Sequence, residues 1–165
     1  MSKKSTKINK ILENIPLPSK VCNQKTNKSS SKKSKMYEDM YDENSGVTEL
    51  KLKDFKYNSK DKTLVCIHPL FTSLKRGIII FYAPWCPHCN EMYDDIIELS
   101  LNYTNIFPIG VVNIEDIKNK NDELTVYANV TKYPTMKVLN KLMFLGDYNN
   151  DITKDNIVYY MNMNL

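Results

Sequence analysis

No uncharged hydrophobic run in the 165 residues approaches the roughly 20 apolar residues that a membrane-crossing helix needs, so no transmembrane segment is expected. The first 35 residues lack the apolar core of a secretory signal and are nearly without acids. Ten lysines there stand against Glu13 alone, a net +9, while the rest of the chain carries −5 and brings the total to +4. The final Asn162-Met163-Asn164-Leu165 is not an endoplasmic-reticulum retention signal. These absences point to the cytoplasm, a reducing compartment; the Lys/Asn/Ile bias also fits an AT-rich genome such as that of a large DNA virus, and were the gene viral, packaging in a virion would be the alternative expectation.

The basic segment is rich in Lys, Ser and Asn, with apolar residues too sparse to bury an element, and reads as a disordered tail. No aromatics interleave its lysines, so weak, salt-sensitive attachment to an anionic surface, nucleic acid or membrane, is the partner it suits. Residues 36–46 turn acidic and read as a solvated linker. The expected division is therefore 1–46 for tail and linker and 47–165 for one folded domain, long enough for a real core.

Within the domain, residues 47–53 alternate apolar and polar with period two, as an edge strand protected by lysines does. Residues 63–67 form a second strand candidate, stopped by His68-Pro69. Gly77-Ile78-Ile79-Ile80-Phe81-Tyr82 has no polar alternation, which fits a strand covered on both faces. A helix from Cys86 to about Asn102 follows, with Met92, Ile96 and Leu99 on one stripe and Tyr93, Ile97 and Leu101 beside it. Then come a strand over 106–113, a short helix over 123–128 ended by a left-handed Asn129, and an antiparallel pair, 134–139 with 142–145. A last helix starts at the Thr153 cap. The alternation predicts an α/β domain with a central mixed sheet flanked by helices.

One stretch states a chemistry: Phe81-Tyr82-Ala83-Pro84-Trp85-Cys86-Pro87-His88-Cys89. It puts Cys86 where a strand hands over to a helix, and Cys89 one turn inside. Unpaired N–H groups and the helix dipole favour an anion at that mouth, so Cys86 is the expected attacking thiolate. Cys89, on the same face and within disulfide range, is the resolving thiol. Pro87 suits the first turn because its missing donor would go unused. His88 is expected to add charge or a hydrogen bond beside Cys86. The rival reading is half a zinc site completed by Cys66, His68, His88 or Cys22, although no second Cys-x-x-Cys exists. Cys66 otherwise reads as a small buried hydrophobe, Cys22 as an inert thiol of the tail, and His68 as structural.

This run resembles the active site of the thioredoxin superfamily, closest in its flanks to protein disulfide isomerase domains; the Pro-His pair is similar to that of a bacterial periplasmic oxidant. Val130-Thr131-Lys132-Tyr133-Pro134-Thr135 is similar to a second family segment, whose proline is cis and faces the cysteines. The resemblance covers roughly residues 60–163. It implies a thioredoxin-like fold and a thiol–disulfide oxidoreductase with a redox-active Cys86–Cys89 couple, no cofactor and no metal. Trp85, Pro87 and His88 would tune that couple, and Trp85, Tyr133 and Pro134 would hold substrate. The implied partners are protein thiols and disulfides and an unidentified redox partner. A stabilised dithiol would raise the potential above thioredoxin's about −270 mV, into a range of about −220 to −120 mV.

Two departures stand out. Ile80 replaces the buried acid that the family usually carries six residues before the first cysteine, and Val111 replaces its lysine partner, which predicts a slower proton transfer at Cys89. Asp94 replaces a helix-kinking proline, which predicts a straighter helix. The rival function is a non-catalytic module of the same fold, tethered to an anionic surface by the lysine tail.

Overall fold

The structure, a computed structural model, describes residues 40–41, 45–116 and 119–164. The segment expected to be a disordered tail that attaches to an anionic surface, with Cys22, lies outside the described residues, as does most of the acidic linker. Among the described residues no helix is long and apolar enough to cross a membrane.

Among the described residues seven strands form one mixed sheet: β1 (Thr48–Glu49), β2 (Phe55–Asn58), β3 (Thr63–Cys66), β4 (Arg76–Tyr82), β5 (Ile109–Asn113), β6 (Thr135–Asn140) and β7 (Met143–Asp147). Their order is β1-β5-β4-β6-β7-β3-β2. β5 pairs in parallel with β4 and β1, and the other pairings are antiparallel. The helices are α1 (Pro69–Leu74), α2 (Pro87–Glu91), α3 (Tyr93–Tyr103), α4 (Asn121–Tyr127) and α5 (Lys154–Asn164). This is the expected central mixed sheet with helices on both faces; β1 lies at an edge as expected, but it takes only Thr48–Glu49 of the 47–53 run, and Leu52–Asp54 turns into a 3-10 helix that leaves Lys51 and Lys53 outside the strand.

β4 is central because its β-branched run has two faces to fill. Ile78, Ile80 and Tyr82 join a cluster with Ile109, Val111, Met136, Met92 and the helical Ile96, Leu99, Ile157 and Met161. Ile79 and Phe81 join the opposite cluster, with Leu50, Phe71, Val112, Leu124 and Leu139. α1 lies so close over β4 that a Cβ on Gly77 would come within 2.6 Å of the Phe71 ring and of the Pro108 carbonyl oxygen. The β6–β7 turn holds Lys141 and Leu142 at φ 51° and 69°, the twist that a two-residue hairpin loop favours.

Several local expectations hold. Asn129 is left-handed, with φ 52°, and Thr153 Oγ1 accepts from the Asn156 N–H at 3.4 Å. Others need correction. The sequence reading missed β2 and took His68-Pro69 only as a stop. In fact Pro69 opens α1, and His68 caps it by accepting from the Leu70 N–H at 3.3 Å.

The helix after the active site is not straighter for want of proline. It breaks at the buried Met92, whose φ −90° and ψ 0° separate α2 from α3. Leu101 is 65 % exposed, off the apolar stripe, and Ser100 takes the inward place, donating to the Gly46 carbonyl at 2.8 Å. The packed body also begins before Val47. Tyr41, in the segment read as a solvated linker, is 2 % exposed because aromatic neighbours on β4 and α3 enclose it.

Candidate active site

Cys86 leaves β4 through Ala83 and Pro84 and becomes the N-cap of α2, with extended backbone angles of φ −82° and ψ 120°. Its N–H donates to the Ala83 carbonyl at 3.0 Å, and its own carbonyl accepts from the N–H groups of Cys89 and Asn90 at 3.1 and 3.2 Å. The sulfur therefore sits at the open end of the helix, as the sequence indicated, with Pro87 at the first helical position. Cys89 lies one turn on. Both cysteines are fully buried, and their sulfurs are not joined in a disulfide.

Facing them, the Tyr133–Pro134 peptide is cis, and the Cys86 thiol donates to the Tyr133 carbonyl at 3.6 Å. The two motifs, some 45 residues apart in sequence, thus meet at one place. Thr135 Oγ1 fastens the loop by donating to the Lys132 carbonyl at 2.7 Å. Burial, followed by the nearby Glu115 and Cys89 charges, pushes the Tyr133 phenol up to about 12, so it stays neutral. Trp85 and Tyr133 meet edge to face with centroids 6.3 Å apart. Together they form a half-buried aromatic rim beside Cys86.

His88 Nδ1 lies 3.0 Å from Glu91 Oε2, with both side chains mostly exposed. Two of the candidate zinc ligands, Cys66 and His68, are held elsewhere. Cys66 packs in the cluster on the other face of the sheet from Cys86 and Cys89, and His68 is engaged at the α1 cap. Burial pushes the Cys66 thiol up to about 11, opposed by a backbone hydrogen bond from His68 and aided by Asp54.

Ile80 and Val111 are direct partners across β4 and β5, and both are fully buried. The family's acid and lysine would have stood side by side here, and both positions are apolar, so no charge is stranded.

Sequence reasoning missed Glu115, just past the end of β5, which accepts from the Trp85 indole N–H at 2.8 Å. Its only signal was its place at the carboxyl end of a parallel strand, where sites in such sheets gather. It also missed Tyr41, whose acidic surroundings disguised a core aromatic.

The family model described as Thioredoxin matches residues 69–163. A protein disulfide-isomerase of Ricinus communis is 28% identical over 95 residues, covering 58% of this chain and 19% of its own length. Protein disulfide-isomerase 1 of Dictyostelium discoideum is 32% identical over 91 residues, covering 53% and 24%. The chain thus spans no more than about a quarter of the length of these curated relatives. Among solved structures, the J-Trx1 fragment of ERdj5 aligns with TM-score 0.56 at 22% identity over 75% of this chain and 54% of that one. Human ERp44 aligns with TM-score 0.54 at 15% identity over 71% and 29%. At such identities the structures speak for the fold alone.

Proposed function

The chain belongs to the thioredoxin family, and from that premise we propose that it exchanges disulfides with protein substrates through the Cys86–Cys89 couple. The observation that carries this reading is the meeting of Cys86, at the mouth of α2, with the Tyr133 carbonyl at 3.6 Å across a cis-proline loop. An extended substrate strand would lie along that loop and against Trp85 and Tyr133, bringing its disulfide to the Cys86 sulfur. The Cys86 thiolate attacks one substrate sulfur, the substrate disulfide opens, and the other substrate sulfur leaves as a thiol. Cys89 then displaces the remaining substrate sulfur from Cys86 and closes the ring. The reverse sequence donates the disulfide, and the redox partner sets the direction.

The test is reduction of insulin by the full chain with a dithiol reductant, together with trapping by Cys89→Ser. Turnover that disappears in Cys86→Ser, and mixed disulfides that accumulate on Cys86 in Cys89→Ser, are the expected results. Wild type without turnover, or a trap that stays empty, would defeat the reading.

A further inference from the structure

For the resolving step Cys89 must ionise while fully buried, and a buried anion is unfavourable unless something donates to it. Ile80 and Val111, facing each other across β4 and β5, have no group that does so. On the same side of the sheet, Tyr41 meets Tyr82 edge-on at 5.3 Å and stacks on Tyr93 at 5.2 Å. Tyr41, Tyr82, Cys86 and Cys89 all belong to one buried cluster. The Tyr41 hydroxyl is sequestered from solvent and makes no hydrogen bond among the described residues. A buried O–H without an acceptor calls for an explanation.

We propose that Tyr41 is a positioning residue for resolution: its hydroxyl turns to the Cys89 sulfur and donates to it as that sulfur becomes an anion. This rests on the dithiol reading above. Hydrogen bonds of this kind are often loose in the resting protein and tighten when charge develops. Burial, then the charges of Cys89 and Tyr93, pushes the Tyr41 phenol far above its ordinary value, so it remains a neutral donor and cannot serve as a base.

The step balances without it. The Cys89 thiol gives up its proton and its sulfur bonds to Cys86. The bond from Cys86 to the substrate sulfur breaks, and the substrate leaves with that proton as a thiol. Cys89 is oxidised, the substrate sulfur is reduced, and Tyr41 keeps its own proton. The other titratable groups of this cluster are Cys86 beside Cys89, Tyr82 of β4, Tyr93 and Tyr103 of α3, Tyr133 of the cis-proline loop, Tyr148 after β7 and Tyr160 of α5. Glu49 of β1 stands opposite Val111 in the same row.

The test uses oxidised glutathione, so that no protein substrate is needed. Full-length protein carrying Cys22→Ser, reduced and mixed with oxidised glutathione, is acid-quenched and read by intact mass. This separates formation of the Cys86–glutathione adduct from its loss to the Cys86–Cys89 disulfide, at each pH.

Tyr41→Phe keeps the ring contacts and removes only the donor. One charge-assisted hydrogen bond corresponds to about one pKa unit or more, so the pH at which ring closure is half-maximal should rise by about one unit. On the acid side, closure should slow about threefold, because about tenfold less thiolate is partly offset by its greater nucleophilicity. The alkaline plateau should be no slower, and adduct formation should be unchanged.

Superimposable profiles would overturn the role of Tyr41, and so would equal slowing at every pH, which marks a packing defect. Wild type that forms the adduct but never closes the ring would instead overturn the Cys86–Cys89 couple, and the proposal with it.

Discussion

Restoring the acid at position 80 is a severe test of how dry the β4–β5 centre is. Ile80 and Val111 are 0% exposed and stand side by side, with Glu49 next in the row beyond Val111, so a carboxylate introduced by Ile80→Glu would be buried with an acid, not a cation, as its nearest charged neighbour along the row. Even when neutral, it forfeits apolar burial of about 2–3 kcal/mol. Its folded-state pKa should be raised well above the unfolded value of about 4.3, because burial disfavours the charged form. Between those two values the unfolded chain has lost a proton that the folded chain still holds. Stability must then fall as pH rises, by about 1.4 kcal/mol per unit. By pH 7 this adds about 3.7 kcal/mol if the folded value lies above 7, for a total near 6 kcal/mol, comparable with the whole stability of a small domain at about 5–15 kcal/mol. Urea unfolding of wild type and Ile80→Glu from pH 4.5 to 7.5 reads this as a widening gap between their midpoints. Adding Val111→Lys should flatten the gap at neutral pH by pairing the charge. A difference that stays constant with pH, or a double variant no better than the single, would refute the claim.

Two further outcomes follow from the opposite face. Cys66, with its thiol pushed up to about 11, should resist iodoacetamide at pH 8 in the folded protein while Cys86 is alkylated. The unfolded thiol ionises near 8.5, so this site should also weaken the fold as pH climbs from about 8.5 to 11, a loss that Cys66→Ala abolishes in alkaline thermal melts. Gly77→Ala would drive a methyl against the Pro108 carbonyl oxygen and the Phe71 ring, each 2.6 Å away. Because backbone cannot yield as a side-chain tip does, a loss of about 1–3 kcal/mol or more is expected by chemical denaturation, and an unchanged midpoint would contradict the packing of α1 on β4.

What could be read from the sequence was local. The cysteine pair, Tyr133-Pro134, the buried run of β4, the Asn129 cap and the Thr153 cap each announce themselves within a few residues. The missed features were settled by distant partners. β2, with Phe55, Lys56, Tyr57 and Asn58 between polar segments, is a strand because β3 pairs with it from Phe55↔Cys66 to Asn58↔Thr63, and such pairing outweighs a weak local pattern. His68-Pro69 supports either a stop or a helix start, and Phe71 in the core decides for the start. The exposure of Leu101 depends on which side chains the sheet accepts. Tyr41 and Glu115 could not be found without knowing that chain ahead of β1 folds onto α3, and that the end of β5 lies beside Trp85.

A protein that trades electrons between sulfurs runs the hazard of a stray third thiol capturing the intermediate. Here Cys66 lies in β3, three strands from β4 in the sheet order, and its side chain packs in the cluster on the other face from Cys86 and Cys89; three strand spacings of about 4.8 Å exceed the roughly 7 Å between Cα atoms that a disulfide can bridge. The sheet that holds Cys86 and Cys89 therefore also keeps them from short-circuiting through Cys66.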